Sequence, residues 1–284
     1  MSAPRSSILS VSVLIVFAVL PLLLGAGYAL LYSFGIIGAL NHGFTLVHWQ
    51  KLFSTHEVWL SFGYSAMLSA LSLTACVIFS LAIALKYHPF FRKGFLSYLI
   101  YQPLAFPSLV AAFFFFQFLS NAGILSRILY QLGFIQSAAQ FPNLVNDPYS
   151  IGIMAAQFFI SCPIFILLYT SLIQTERITD YLHLSATLGA DSRQASWRIA
   201  IPVLLRKSFP TILLYFIFKL GAYEIPLLLG RSRPETISVL AVRKLQKFNL
   251  HDIPQGYAIA VLYIVVVLLL LTISLKKTRS VYDM

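Results

Sequence analysis

The sequence predicts an all-α integral membrane protein, built as a bundle of six transmembrane helices. Hydrophobic residues make up 59% of the 284 residues and charged residues only 10%, whereas soluble domains carry about 25% charged residues. The charges are also unevenly placed, and they leave uncharged runs longer than the roughly 20 apolar residues that a helix needs to cross a bilayer. We therefore expect the lipid bilayer to surround the chain.

Six runs supply the predicted spans, which we assign to a single transmembrane domain over residues 1–284. The fifth run contains Lys219 and Glu224, and the other five are free of charged residues. The first run follows Arg5 and is longer than the apolar part of a secretory signal, so we expect it to remain as a span. The predicted spans are 8–32, 58–85, 94–119, 149–175, 208–230 and 254–275.

The distribution of basic residues predicts that both termini are cytoplasmic. In that orientation twelve Lys and Arg residues lie inside and seven outside, which follows the positive-inside rule. Five of the outer seven lie in the loop 231–253. Apolar residues recur there at helical spacing, so we predict an amphipathic helix at the outer interface whose basic residues face headgroups or a partner. A similar short helix is predicted over 124–132.

Prolines interrupt several of the predicted spans. Pro103 and Pro107 lie in the third, Pro163 in the fourth and Pro226 in the fifth. Each removes one backbone hydrogen bond, which a membrane helix tolerates where neighbouring helices or a wet cavity satisfy the freed carbonyl. This pattern favours a bundle around a solute pathway.

The predicted cytoplasmic loop 176–207 contains the most specific motif. It is longer than a connection between two helices normally needs to be. Gly189 is followed ten residues later by Ile199 and thirteen residues later by Pro202. The pattern predicts a short helix, a turn at the glycine, a second helix ending before the proline, and entry into the membrane. Such an elbow can transmit a mechanical push.

This loop resembles the EAA loop of binding-protein-dependent ABC importer permeases. In that family a Glu-Ala-Ala triplet precedes a glycine, and the sequence Ile-x-Leu-Pro follows it. Gly189, Ile199 and Pro202 match in register, and Ile201 replaces the leucine. The triplet departs from the pattern, because residues 183–185 read His-Leu-Ser. Any contact specific to the family's glutamate is therefore altered here.

The resemblance implies a type I ABC importer permease, a bundle of six transmembrane helices with a cytoplasmic coupling-helix loop, in the bacterial cytoplasmic (inner) membrane. The implied partners are two ABC ATPase subunits that bind the ATP, a second permease subunit, for which we favour a different chain, and an extracytoplasmic solute-binding protein. The residues that would contact the ATPase are His183, Ser185, Ala186, Gly189, Ala190, Arg198, Ile199 and Pro202.

Residues 221–230, which begin Gly-Ala-Tyr-Glu-Ile-Pro, look like the fifth span of the spermidine/putrescine-type branch, whose relatives include iron(III), thiamine and phosphonate importers. This likeness implies a small polar or cationic solute of the polyamine type. Lys219, Tyr223 and Glu224 are the candidates for the translocation pathway. An ionisable group inside a membrane is costly without a partner or water. A carboxylate at 224 suits a cationic solute, although structural pairing stays equally open for it, and Lys219 is expected to extend to the cytoplasmic interface.

Several classes of function are not favoured. The sequence has no Gly-x-x-x-x-Gly-Lys-Ser/Thr loop, no His-Glu-x-x-His helix and no Gly-x-Ser-x-Gly turn, so we assign no catalytic residue, metal or cofactor to this chain. Cys76 and Cys162 are expected to be core residues. The net charge of +11 does not indicate a nucleic-acid partner, because most basic residues flank apolar runs. The alternative function is an ATP-independent secondary transporter or a channel.

Overall fold

A computed structural model describes residue 13 and residues 15–38, 43–87, 90 and 95–282, with only the backbone of 95–97 and 277–282. Within these ranges the chain is helical and has no strand, which confirms the predicted all-α fold class. The helices in chain order are α1 (Ile15–Ser33), α2 (Val47–Ser54), α3 (His56–Tyr87), α4 (Phe95–Tyr101), α5 (Ser108–Leu119), α6 (Ile124–Gln131), α7 (Ile151–Thr175), α8 (Ile178–Thr187), α9 (Ser192–Leu220), α10 (Glu224–Leu229), α11 (Ile237–Leu245) and α12 (Ile253–Tyr282).

Six segments of the described chain are long and apolar enough to cross a membrane. They are Ile15–Ser33, His56–Tyr87, Ser108–Gln131, Ile151–Thr175, Ser192–Leu220 and Ile253–Lys276. The second, fourth and sixth begin and end within two residues of the predicted spans. In the predicted first span, residues 8–12 and 14 lie outside the described residues. The third and fifth segments differ from their predictions.

The third predicted span, 94–119, is not one helix. A 3₁₀ turn follows α4 over Gln102–Ala105 and contains Pro103, while Pro107 lies just before α5. Neither proline can donate a backbone hydrogen bond, so the helix stops and restarts between them. The apolar segment then continues beyond α5, through a turn at 120–123, into α6. The short helix predicted over 124–132 is therefore present, but as part of the candidate third span.

The fifth predicted span, 208–230, is wrong at both ends. Helix α9 begins in the loop and runs through Pro202, where the sequence predicted a helix end. A π-helical turn over Ser196–Ala200 ends two residues before this proline. A widened turn of this kind accommodates a residue that cannot complete the regular hydrogen-bonding ladder. At its other end α9 stops at Leu220, and residues 221–223 are not helical.

One compact unit comprises the described residues of Met1–Leu60 and Ile237–Leu268. It contains the predicted amphipathic helix, α11, which buries Ile237 and Leu240. We expect the basic residues of this loop to face headgroups or a partner, and for the buried Lys244 that expectation is wrong. Arg243 and Lys247 stay partly exposed, and each of the three has an acceptor within the unit. The contacts are Arg243 Nη2 to Glu57 Oε1 at 2.7 Å, Lys244 Nζ to Gln255 Oε1 at 3.1 Å, and Lys247 Nζ to Asp252 Oδ2 at 3.1 Å.

A second unit comprises the described residues of Ser61–Thr236 and Leu269–Met284. Helix α7 contributes to both of its apolar cores. In one core Phe165 and Tyr169 of α7 pack with residues of α3 and α9, and Cys76 and Cys162 lie there, which confirms their expected core position. In the other, Ile153 packs with residues of α3, α5 and α10. The assignment of all six spans to a single domain stays a prediction.

A close backbone approach at the start of α7 requires a glycine. A Cβ atom at Gly152 would lie 2.5 Å from the carbonyl oxygen of Leu144, and a backbone atom cannot move aside cheaply. We expect Gly152→Ala to lower the free energy of unfolding by about 1–3 kcal/mol. In the control Gly63→Ala, the new methyl group meets no atom within 4 Å inside helix α3, so stability should be unchanged or slightly raised. Unfolding of the purified chain in mixed micelles, followed by circular dichroism, measures both. Equal stabilities would contradict the prediction.

Candidate functional site

The loop 176–207 forms the predicted elbow. Helix α8 ends in a Schellman turn, in which Gly189 N donates to Ala186 O and Ala190 N donates to Ser185 O, both at 3.0 Å. Gly189 has a φ of +85°, a left-handed conformation that favours glycine. At the base of the elbow, Lys207 Nζ lies 3.0 Å from Glu176 Oε1. The loop is therefore an ordered structure tied to the ends of two spans.

The coupling residues predicted from the sequence do not all face solvent. Ser185 is buried, and its hydroxyl donates to Leu182 O at 2.8 Å. Ala190 and Ile199 are half-buried. The remaining five are exposed, namely His183, Ala186, Gly189, Arg198 and Pro202. In this chain Ser185 therefore supports the elbow from within.

An apolar surface on the elbow was missed by the sequence reasoning. Tyr181, Leu184 and Leu188 follow one another at spacings of three and four residues, so they lie on one helical face. Leu184 is 60% exposed and Leu188 is 81% exposed. We call these three residues the exposed row. Their spacing was the available signal, and a contiguous apolar surface outside the spans indicates a protein contact.

The left-handed conformation of Gly189 leads to a separate prediction about stability. A Cβ atom there would meet nothing within 4 Å, so the cost of a side chain comes from the backbone alone. We expect Gly189→Val to lower the free energy of unfolding by about 1–2 kcal/mol. Gly189→Asn is the matched control, since asparagine adopts left-handed conformations more readily. Denaturation of both purified variants measures the difference, and equal losses would contradict this explanation.

The second candidate region is residues 221–230, which follow α9 and comprise the non-helical residues 221–223, helix α10 and Gly230. We call these residues the pathway segment. Gly221 N donates to Ile217 O at 3.1 Å and ends α9, and Tyr223, which is half-buried, precedes α10. Glu224 is the first residue of α10 and is exposed. Among the described residues its carboxylate has no hydrogen bond or ion pair. Within the described part of the chain, the pathway segment therefore exposes an unpaired carboxylate.

Lys219 lies inside the helical bundle rather than at the interface. Its side chain is 7% exposed, and Nζ donates to Ser72 Oγ at 3.3 Å and to Gln157 O at 3.2 Å. The expectation that this lysine extends to the cytoplasmic interface is therefore wrong, because its Nζ is held by acceptors on α3 and α7. The spacing of Lys219 and Glu224 predicts that they do not pair, and in the structure they do not. That Lys219 lines the solute pathway stays a prediction. Its burial does not favour this role.

At the far end of the pathway segment, sequence reasoning missed a second polar contact. The guanidinium carbon of Arg231 lies 5.5 Å from the centre of the Tyr64 ring. The Tyr64 hydroxyl lies 2.5 Å from Ser150 Oγ, at the start of α7. Arg231, Tyr64 and Ser150 are distant in sequence, so no local signal relates them to one another.

Metal chemistry receives no support from the described part of the chain. Within it, no three residues of the types His, Cys, Asp or Glu group closely enough to hold an ion.

Comparison with known proteins gives one family and a common fold. The family of binding-protein-dependent transport system inner membrane components matches residues 76–277. The chain is similar to one in the crystal structure of a bacterial alginate ABC transporter in complex with an alginate pentasaccharide-bound periplasmic protein, with a TM-score of 0.69, 18% identity, and coverage of 97% of this chain and 93% of that one.

A second similar chain is in the crystal structure of a bacterial ABC transporter involved in the import of the acidic polysaccharide alginate. Its TM-score is 0.67 at 20% identity, and the match covers 94% of this chain and 92% of that one. No curated protein matches the sequence. At these identities the solved structures show a shared fold.

Proposed function

The chain belongs to the family of binding-protein-dependent transport system inner membrane components, and on that premise we propose that its elbow couples a separate ATPase to a solute pathway beside Glu224. As a member of this family it is the permease subunit of an ABC importer, a multi-pass protein of the inner membrane and not an enzyme. ATP is hydrolysed by a separate subunit.

The exposed row is the observation that carries the coupling proposal. Three apolar side chains project from an ordered helix outside the spans, where water alone would favour polar residues. We assign this surface to the ATPase subunit. Three further predicted coupling residues are exposed on the elbow. His183 and Ala186 lie on α8 with the exposed row, and Arg198 lies on α9. The full assembly we propose contains two ATPase subunits, a second permease of different sequence and an external solute-binding protein.

The solute class is proposed from the free carboxylate of Glu224. An exposed acidic group just beyond the end of a span attracts cations, so we propose a small cationic solute of the polyamine type. The structural neighbours are described with alginate, an acidic polysaccharide. Glu224 would repel an acidic solute. Transport of such a solute would therefore contradict the proposed class. The family assignment favours neither solute.

The orientation of the elbow is tested by labelling. A cysteine substitution at exposed Ala186, in a chain whose buried Cys76 and Cys162 are replaced by alanine, should react with a membrane-impermeant reagent in inside-out vesicles only. The exposed Tyr149, replaced by cysteine, is the control at the predicted outer side. The opposite pattern would place the elbow outside the cell and remove it from any ATPase.

Partner and solute are tested with the assembled transporter. The tagged permease should co-purify with an ATPase subunit. An ATP-independent carrier should not bring down such a subunit. In proteoliposomes containing the full complex and its binding protein, ATP should drive uptake of labelled putrescine or spermidine and not of alginate oligosaccharide. ATP-driven uptake of the oligosaccharide would keep the importer and reject the cationic solute.

A further inference from the structure

Both ends of the pathway segment are held by a basic residue that has no acidic partner among the described residues. Lys219 precedes the segment and Arg231 follows it. Lys219 is buried and bonds only to uncharged oxygens, those of Ser72 and Gln157. A cation buried in this way is costly unless its hydrogen bonds are satisfied. The two hydrogen bonds from Nζ offset part of this cost, and they fix where the lysine lies.

The contacts of Lys219 tie the end of α9 to two other helices. Ser72 belongs to α3 and Gln157 to α7, and Ser72 Oγ also donates to Gln157 Oε1 at 2.8 Å. The three side chains form one network at the last turn of α9, immediately before the chain becomes irregular. This network sets the point from which the pathway segment departs.

The other end of the segment is tied to the same two helices. Arg231 lies over the ring of Tyr64 in α3, and the Tyr64 hydroxyl contacts Ser150, the residue before α7. The backbone reinforces this end, because Asn146 N donates to Leu229 O at 2.9 Å. The segment therefore bridges two fixed points on the pair α3 and α7.

Between these points, helix α10 also packs against α5 and α7 through an apolar core. Ile225 and Leu229 are buried in an apolar core, which is non-directional, while Glu224 is exposed. We propose that Lys219 is a positioning residue that, together with Arg231, holds the pathway segment so that the Glu224 carboxylate faces the solute. This inference rests on the proposed role of Glu224 in the pathway.

That Lys219 bonds to neutral acceptors agrees with the positioning role proposed for it. If Lys219 paired with Glu224, the ion pair would neutralise the carboxylate and remove its attraction for a cation. The non-helical residues 221–223 separate the two groups, and Lys219 finds its acceptors on neighbouring helices instead. The lysine thus fixes the segment while the negative charge stays available.

A double-mutant cycle in the complete transporter tests the inference. We expect Lys219→Met to raise the KM for putrescine about tenfold, with a smaller change in maximal rate, because a displaced carboxylate binds the solute less well. In a Glu224→Gln background the same substitution should have little further effect, since coupled residues are not additive. Ser72→Ala, which removes one acceptor of Lys219, should act in the same direction more weakly. Ser80→Ala, on the same helix, is the control.

Each outcome decides between the claims. If Glu224→Gln leaves uptake unchanged, the proposed pathway role fails, and this inference fails with it. If Glu224→Gln impairs uptake but its effect multiplies with that of Lys219→Met, only the inference is overturned. Should Lys219→Met fail to assemble, the double-mutant cycle of Ser72→Ala with Glu224→Gln decides instead.

Labelling of Glu224→Cys, in a chain with Cys76 and Cys162 replaced by alanine, gives a readout without transport. An unchanged labelling rate on adding Ser72→Ala would also overturn the inference.

Discussion

The double substitution Leu184→Asp and Leu188→Asp is expected to abolish ATP-driven uptake while the six spans stay folded. Both leucines are mostly exposed in this chain, so their replacement removes little internal packing. In a docked complex they would instead be buried against the ATPase. Apolar residues at the centre of such an interface are worth about 2–4 kcal/mol, which corresponds to roughly 30- to 800-fold weaker docking.

Co-purification of the ATPase and uptake in proteoliposomes measure this loss. Ser192→Asp adds one acidic residue on the same loop, at the first turn of α9, where the helix dipole favours an acidic residue. That control should retain both docking and uptake. If the double variant transports at the normal rate, the exposed row is not the coupling surface, although the chain would remain a permease.

The second large effect is expected at Glu224. A hydrogen bond to a charged group contributes about 1.5–3 kcal/mol, so Glu224→Gln should reduce uptake of a cationic solute roughly 10- to 150-fold. Glu224→Lys should reduce it further, because the pathway segment would then repel the solute. Glu224→Asp keeps the charge and should retain most of the activity.

Uptake kinetics, measured beside ATPase activity and complex assembly, separate this role from a structural one. Glu57→Gln is the control, since Glu57 is also partly exposed but is paired with Arg243 at 2.7 Å. It should leave the KM unchanged. Normal putrescine uptake by a fully assembled Glu224→Gln transporter would remove this carboxylate from the pathway and, with it, the argument for a cationic solute.

Local chemistry was sufficient to locate most of the membrane-embedded architecture. Absence of charge over some twenty residues is a property of the segment itself, and the bounds of α3, α7 and the last span follow from it closely. The turn at Gly189 was also predictable, because a glycine at the end of a helix adopts the left-handed conformation without steric cost. Proline was less informative. Pro103 and Pro107 mark a break between α4 and α5, whereas Pro202 is accommodated within α9.

Packing between distant segments supplied the remainder. Lys219 and Ser72 are 147 residues apart, and no periodicity relates them, so the burial of this lysine depends on how α3, α7 and α9 assemble. The basic residues of α11 likewise find their acceptors through tertiary contact. Hydropathy and backbone preference act within a few residues and therefore suffice for spans and turns. The partners of buried charges depend on which helix faces meet, and that is a property of the assembled bundle.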